Sequence, residues 1–223
     1  MPRYLPICLN LEGRRVVVVG AGHVGTQKVR DLRDCGALVH VVSPRASEEV
    51  RRLASEGRIT LAERRYREGD ISGAFLVVVA TDDPETNAAV YAEATAAGQL
   101  VNVCDDPPHC NYIFASRIER GPLTVSIFTH GTSPAFARRV RRELEAWLGP
   151  EYGELAELLA ELRPQVKALP ELSQPERQRI FERLVYSEAL LLFREGRGEE
   201  ARALAARLMD EELRLIRQGR AEG

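Results

Sequence analysis

The sequence predicts a doubly wound parallel α/β sheet, followed by a small α+β segment and an all-helical tail. Three observations predict it. From Arg15 to Val103, short β-branched apolar runs alternate with longer amphipathic stretches. Runs such as VVVV and LVVV are apolar on both faces, as strands covered by helices on each side must be. After Pro150 the apolar residues keep helical spacing alone. The expected divisions are residues 1–113, 114–150 and 151–223.

The strands are expected at Val16–Gly20, Ala37–Ser43, Ile59–Glu63, Phe75–Ala80 and Leu100–Cys104, with helices near His23–Asp34, Ser47–Glu56 and Glu85–Ala97. Past Tyr112 the rhythm changes. PLTVSIFT, Pro122–Thr129, reads as one more strand, and a helix follows from Pro134 to Leu148. In the tail, Leu155, Leu158, Leu159 and Leu162 mark a first helix. Ser173 with Glu176 forms a capping box that opens a second, Pro175 lies in its first turn, and Leu184, Leu191 and Leu192 continue its apolar face. Gly196 and Gly198 interrupt, and a third helix spans about Glu199–Arg217. These faces must be covered by the sheet domain, by each other or by a second subunit.

Composition narrows the class. The 223 residues are 44% hydrophobic and carry a formal net charge of −2, which suits an ordinary globular core and gives no sign of a nucleic-acid polyelectrolyte binder. Positive charge is nearly all arginine, with Lys28 and Lys167 the only lysines. No apolar run approaches the roughly 20 residues of a membrane helix. The start, MPRYLPICLN, lacks the features of a secretory signal, so a cytoplasmic location is expected. Cys8, Cys35, Cys104 and Cys110 are too few and scattered for a disulfide framework.

Gly20-Ala21-Gly22-His23-Val24-Gly25 is a GxGxxG that follows a strand and opens a helix. In that context Gly20 allows a tight turn, Gly22 lets the backbone approach a pyrophosphate and Gly25 lets helix and strand pack closely, with the phosphates at the helix N-terminus. The acid that usually holds a ribose about 20 residues further on is missing. That place reads Ser43-Pro44-Arg45. Arg45 would suit a 2′-phosphate, and Ser43 with the local backbone would suit an unphosphorylated ribose, so residue chemistry leaves NAD and NADP open. ATDDPETN and CDDP end the fourth and fifth strands, on the rim where open parallel sheets bind ligands. That position puts Thr81 and Asp82 among the cofactor candidates, although Asp82 and Asp83 read first as caps of the following helix. Asp105 and Asp106 are open to three readings, as turn residues, metal ligands or a catalytic pair. Position on the rim favours function for Asp105, while Asp106-Pro107-Pro108 suits a plain turn.

Cys104, His109 and Cys110 lack the second ligand pair that a structural zinc needs, so no metal site is expected and the thiols read as buried or half-exposed. Thr129-His130-Gly131-Thr132-Ser133-Pro134 starts a helix with Ser133 at its N-cap, an end that suits an anionic group. Arg138, Arg139, Arg141 and Arg142 follow and read best as a solvated face.

The segments YLPICLNLEGRRVVVVGAGHVGTQKV, GALVHVVSP, VVVATDDPETN, VNVCDDP and SIFTHGTSPAFARRVRRELE occur in the order of one family. Over roughly residues 1–150 the chain resembles the precorrin-2 dehydrogenase and sirohydrochlorin ferrochelatase family, which includes the N-terminal module of siroheme synthases. The tail resembles the family only in helical character. The resemblance implies a Rossmann NAD-binding domain, a dimerisation and substrate-binding segment at 114–150, and a homodimer. It implies oxidation of precorrin-2 to sirohydrochlorin with NAD as hydride acceptor, in some members followed by insertion of ferrous iron. Asp105 matches the proposed catalytic aspartate. Pro44 and Arg45 lie beside the adenosine, and the substrate's carboxylates would meet the segment holding Thr129, Gly131, Thr132 and Ser133. His130 stands where relatives often carry Gly or Ser. The rival from another class is a regulatory NAD-sensing module without catalysis, which would need the glycine turn but neither Asp105 nor the GTSP helix.

Overall fold

The structure is a computed structural model that describes residues 4–221; the outer ends of the first and last expected divisions, residues 1–3 and 222–223, lie outside the described residues. The chain forms two compact units, Met1–Phe114 and Ala115–Gly223.

The first unit contains β1 (Arg15–Ala21), α1 (His23–Asp34), β2 (Leu38–Ala46), α2 (Glu48–Ser55), β3 (Thr60–Ala62), β4 (Leu76–Val79), α3 (Pro84–Ala96) and β5 (Leu100–Val103). Its five strands are all parallel, in the order β3-β2-β1-β4-β5. This is the predicted Rossmann-like sheet. The run Val16–Val19 shows why it forms: a strand turns successive side chains to opposite faces, and both faces here are covered. Val16 and Val18 join Val29 and Leu32 of α1 and Val50 and Leu53 of α2 in one core. Val17 and Val19 join Val90 and Ala94 of α3, with Ile71 and Val77, in the other. All four valines are buried, and burying each contributes roughly 1.5–3 kcal/mol, so a polar residue anywhere in the run would cost heavily.

The sheet's order changes direction between β1 and β4, which places the ligand crevice above the carboxyl ends of these central strands. β2 runs three residues past its expected end at Ser43, because the register of β1 shifts between Val19 and Ala21 and re-pairs Ala21 with Ala46.

The second unit opens with an antiparallel hairpin, β6 (Ser116–Arg120) and β7 (Leu123–Ile127), turning at Gly121 with φ 53°. β7 lies within the expected strand; β6 was not expected. Then come α4 (Pro134–Trp147), α5 (Glu151–Lys167), α6 (Gln174–Val185), α7 (Ala189–Arg194) and α8 (Gly198–Ala221). The tail thus holds four helices where three were expected. The second expected helix breaks at Tyr186–Glu188, where the Ser187 hydroxyl donates to the Leu184 carbonyl and accepts from the Ala189 N–H, competing with the helical ladder. Leu191 and Leu192 therefore belong to α7. The capping box forms as predicted: the Ser173 N–H and hydroxyl both reach Glu176. The apolar faces bury against each other, through Leu158, Leu162, Ile180, Leu184, Phe193 and Ala205. Among the described residues no helix is long and apolar enough to cross a membrane.

Candidate active site

The turn between β1 and α1 is built from three glycines with different reasons to be glycine. Gly20 has φ 100°, and a Cβ there would lie 2.2 Å from the Ala80 carbonyl oxygen at the end of β4. A Cβ on Gly25 would lie 2.1 Å from the Gly20 carbonyl oxygen. Both are required by the protein's own packing. Gly22 differs: it is exposed, nothing lies within 4 Å of its Cβ position, and it is the N-cap of α1 with no side-chain cap. The first-turn N–H groups, those of His23 and Val24 among them, are left for an outside acceptor, and the helix dipole favours an anionic one. Open space over Gly22 and an uncapped helix end fit a dinucleotide's pyrophosphate.

Buried polar groups hold this turn against β2 and α2. The Ser43 hydroxyl accepts from the Ala21 N–H at 3.1 Å and donates to the Arg45 carbonyl at 2.7 Å. The Ala21 carbonyl accepts from the Ser47 N–H at 3.2 Å and the Thr26 hydroxyl at 3.4 Å, while the Thr26 and Ser47 hydroxyls stand 2.9 Å apart. Ser47 also caps α2. Thr26 and Ser47 escaped sequence reasoning, since a single hydroxyl carries no periodic signal. Ser43, weighed there as a ribose contact, is buried and its proton is committed to the loop, so it acts first as a positioning residue. Pro44 and Arg45 are exposed beyond it, and the Arg45 guanidinium makes no hydrogen bond or ion pair among the described residues.

At the end of β4 the Thr81 hydroxyl donates to the Asn87 side chain at 2.7 Å and accepts from the Asp83 N–H at 3.1 Å. Asp83 alone caps α3, accepting from the Glu85 N–H and the Thr86 hydroxyl. The Thr86 bond holds its carboxyl below the usual carboxylate range. Asp82, expected to share the capping, is exposed and makes no hydrogen bond among the described residues.

Asp105 follows β5 in a turn, with a left-handed φ of 62°. It is exposed, and its carboxylate makes no hydrogen bond or ion pair among the described residues. Asp106, by contrast, is 2.7 Å from His109 Nδ1, and the His109 ring meets Tyr91 edge-on at 4.6 Å. The turn's base is fastened to the sheet. The Asn102 amide donates to the Tyr112 carbonyl at 3.0 Å and to Cys110 Sγ at 3.3 Å. Asn111 accepts from the Val101 N–H and donates to the Gln99 carbonyl, both at 2.8 Å. Burial raises the thiols of Cys104 and Cys110 and pushes the Tyr112 phenol well up. Lys28 of α1 stands over the Phe114 ring, 3.8 Å from its centroid.

The parallel register thus gathers the glycine turn, Ser43–Arg45, Thr81–Asp82 and Asp105 at the carboxyl ends of β1, β2, β4 and β5, on one rim. A rim that carries an uncapped helix end and the uncommitted Asp105 carboxylate can orient a bound substrate and accept a proton.

In the second unit, His130 and Gly131 are both left-handed, with φ of 51° and 78°. The Thr132 N–H donates to the Thr129 carbonyl at 2.9 Å, and the Thr129 hydroxyl donates to the Ser133 carbonyl at 3.2 Å. Ser133 caps α4 through the Phe136 N–H, as predicted. Phe128 and His130 rings pack 5.1 Å apart.

Three families match the chain in succession: NAD(P)-binding over residues 7–116, the central region of sirohaem biosynthesis proteins over 120–146, and the sirohaem synthase dimerisation region over 151–209. The cofactor class is accordingly a nicotinamide dinucleotide. The siroheme synthase of Pseudomonas entomophila is 40% identical over 208 residues, 93% of this chain and 44% of the relative. That of Nitrosococcus oceani is 41% identical over 165 residues, 74% of this chain and 35% of the relative. The chain thus spans less than half the length of these relatives. Among solved structures, SirC, a precorrin-2 dehydrogenase, shares the fold with a TM-score of 0.78 at 24% identity, covering 92% of this chain and all of the other.

Proposed function

Because the chain belongs to the siroheme synthase family, we propose that it is a precorrin-2 dehydrogenase, oxidising precorrin-2 to sirohydrochlorin with NAD. The observation that carries this reading is the uncommitted Asp105 carboxylate on the rim that also bears the open Gly22. NAD, when bound, supplies the hydride acceptor. The chain's own residues do the rest. Gly22 and the first turn of α1 hold the pyrophosphate, with His23, Val24 and Gly25 following it into the helix. Pro44 and Arg45 flank the adenosine, Ser43 fixes their loop, and Thr81 and Asp82 border the crevice from β4. Asp105 accepts the proton that the substrate loses at a second atom as hydride leaves its carbon. Thr129, Gly131, Thr132 and Ser133 receive substrate carboxylates, with residues 114–150 as the dimerisation and substrate-binding segment; that the chain is a homodimer is supported by the dimerisation-region match, which lies further on, over residues 151–209.

Ferrous iron as a second substrate belongs to the same reading. Asp105 would then take the pyrrole protons that the metal displaces. Four free cysteines suit a reducing cytoplasm. Arg45, which makes no hydrogen bond or ion pair among the described residues, would also admit a 2′-phosphate, so the deciding assay uses both cofactors. Precorrin-2 is offered anaerobically with NAD+ and then NADP+, and reduced nicotinamide is followed by absorbance. Turnover faster with NAD+ is expected. Dinucleotide binding without turnover would replace the enzyme by a regulatory nucleotide-sensing module. Iron insertion is followed separately, as a visible spectral change of sirohydrochlorin with Fe2+ and no NAD.

A further inference from the structure

Two thiols lie under the Asp105 turn, and the proposed reaction uses neither. Cys104 is the residue just before Asp105, and Cys110 closes the same loop through a bridge to Asn102. Their sulfurs contact opposite ends of one carboxamide: Cys104 Sγ is 3.8 Å from Asn102 Oδ1, and Asn102 Nδ2 is 3.3 Å from Cys110 Sγ. Cys110 Sγ also donates to the carbonyl of Val103, at 3.2 Å, and Val103 adjoins Cys104. Both sulfurs thus touch the one Asn102 side chain, and both cysteines are partly exposed.

We propose that Cys104 and Cys110 form a redox modification site, a dithiol that closes to a disulfide under a small-molecule disulfide oxidant and thereby displaces the Asp105 turn. The chemistry balances. One thiol loses its proton and attacks the oxidant's S–S bond, forming a mixed disulfide and releasing one small thiol. The second loses its proton and attacks the mixed disulfide, releasing the other small thiol. Two electrons pass from the protein's sulfurs to the oxidant, and the two protons leave on the released thiols.

Closure has a structural price set by geometry. A disulfide needs its Cα atoms roughly 4.4–6.8 Å apart with a defined torsion, and the Asn102 amide now contacts both sulfurs. The bond therefore expels the Asn102 amide, which loses its contacts with both sulfurs and strains its bond to the Tyr112 carbonyl. Asn102 is buried, and its amide is one of the fastenings of the loop that presents Asp105. Burial raises both thiols, so few are thiolate at neutral pH and closure is slow. The site answers sustained oxidation, and restoring a thiol reductant reopens it.

The effect on turnover rests on the proposed role of Asp105; the bond itself does not. The test uses the full chain carrying Cys8→Ser and Cys35→Ser, treated with glutathione disulfide under native conditions. The expected product is a Cys104–Cys110 linked peptide, an intact mass two hydrogens lighter, and recovery with dithiothreitol. Adding Cys110→Ser should leave only a glutathione adduct. A native chain that stays reduced, or stops at the adduct, overturns the site. The closed form should turn over on the order of a hundredfold more slowly, as for a misplaced reacting group, with NAD affinity and circular dichroism unchanged. Full turnover in the closed form overturns the link to Asp105. If the reduced chain never turns over precorrin-2, the proposed function fails while the peptide result still decides the site.

Discussion

Asp106 and His109 are joined by a 2.7 Å bond across the Pro107–His109 turn, while Asp105, one residue earlier, makes no such bond among the described residues. The two acids are thus chemically unlike. One is tied to the loop's internal structure, and the other is left open toward the crevice rim.

That difference separates their variants. Asp105→Asn should lower precorrin-2 turnover roughly 10²–10⁴-fold, the usual worth of a general base, with NAD affinity kept. Asn tolerates the left-handed backbone at φ 62°, whereas Asp105→Ala should lose about 1 kcal/mol of stability besides. Asp106→Asn should cost only a few-fold in rate, by analogy with other groups that act through position. Steady-state kinetics with thermal melts checks this, and a collapse in Asp106→Asn alone would reverse the assignment.

Gly22 and Gly20 should fail in opposite ways. Gly22→Ala places its methyl in open space, so the chain should melt like the parent but bind NAD about 10–100-fold more weakly, since the methyl stands where the pyrophosphate must approach. Gly20→Ala drives its methyl into the Ala80 carbonyl and should lower stability by several kcal/mol, as overpacking at a left-handed position does. Calorimetric NAD titration beside thermal denaturation separates the two. A Gly22→Ala chain that binds NAD normally would count against the pyrophosphate site.

Ser43 is predicted to matter through the backbone. Ser43→Ala leaves the Ala21 N–H and the Arg45 carbonyl without their partner in a buried place, which costs about 1–3 kcal/mol. Denaturant unfolding reads that loss directly. A substitution within about 0.5 kcal/mol of the parent would mean that water replaces the hydroxyl.

Legibility from the sequence followed the kind of signal each element carries. The central strands β1 and β4 were readable because burial on both faces demands uninterrupted apolar runs. β6 was not, because Ser116-Arg117-Ile118-Glu119-Arg120 has one buried apolar side chain, Ile118, and owes its conformation to pairing with β7. The end of β2 was misplaced since Pro44-Arg45 looks like a turn, while pairing of Ala21 with Ala46 keeps the chain extended. At the site, the glycines and the acids of the rim were visible as motifs. The Thr26–Ser43–Ser47 network and the loop fastened by Asn102 were not, because their meaning lies in contacts between distant single residues.

The helical tail should carry a pH signature at the start of α6. The Glu176 carboxyl is pushed down to about 2, first by the Ser173 hydroxyl, then by the Ser173 N–H, with Arg220 adding to it. A carboxyl whose pKa falls on folding contributes stability that is fully present above its unfolded value, about 4.3, and is lost as pH drops through its folded value. The contribution should therefore fade between about pH 4.5 and pH 2. Glu176→Gln keeps the shape but removes the charge. Its melting temperature should sit below the parent's by a constant amount above pH 5, and the two curves should converge as pH falls toward 2. Thermal melts of both chains across that range decide it, and a gap that stays constant down to pH 2 would show that the cap does not depend on the carboxylate charge.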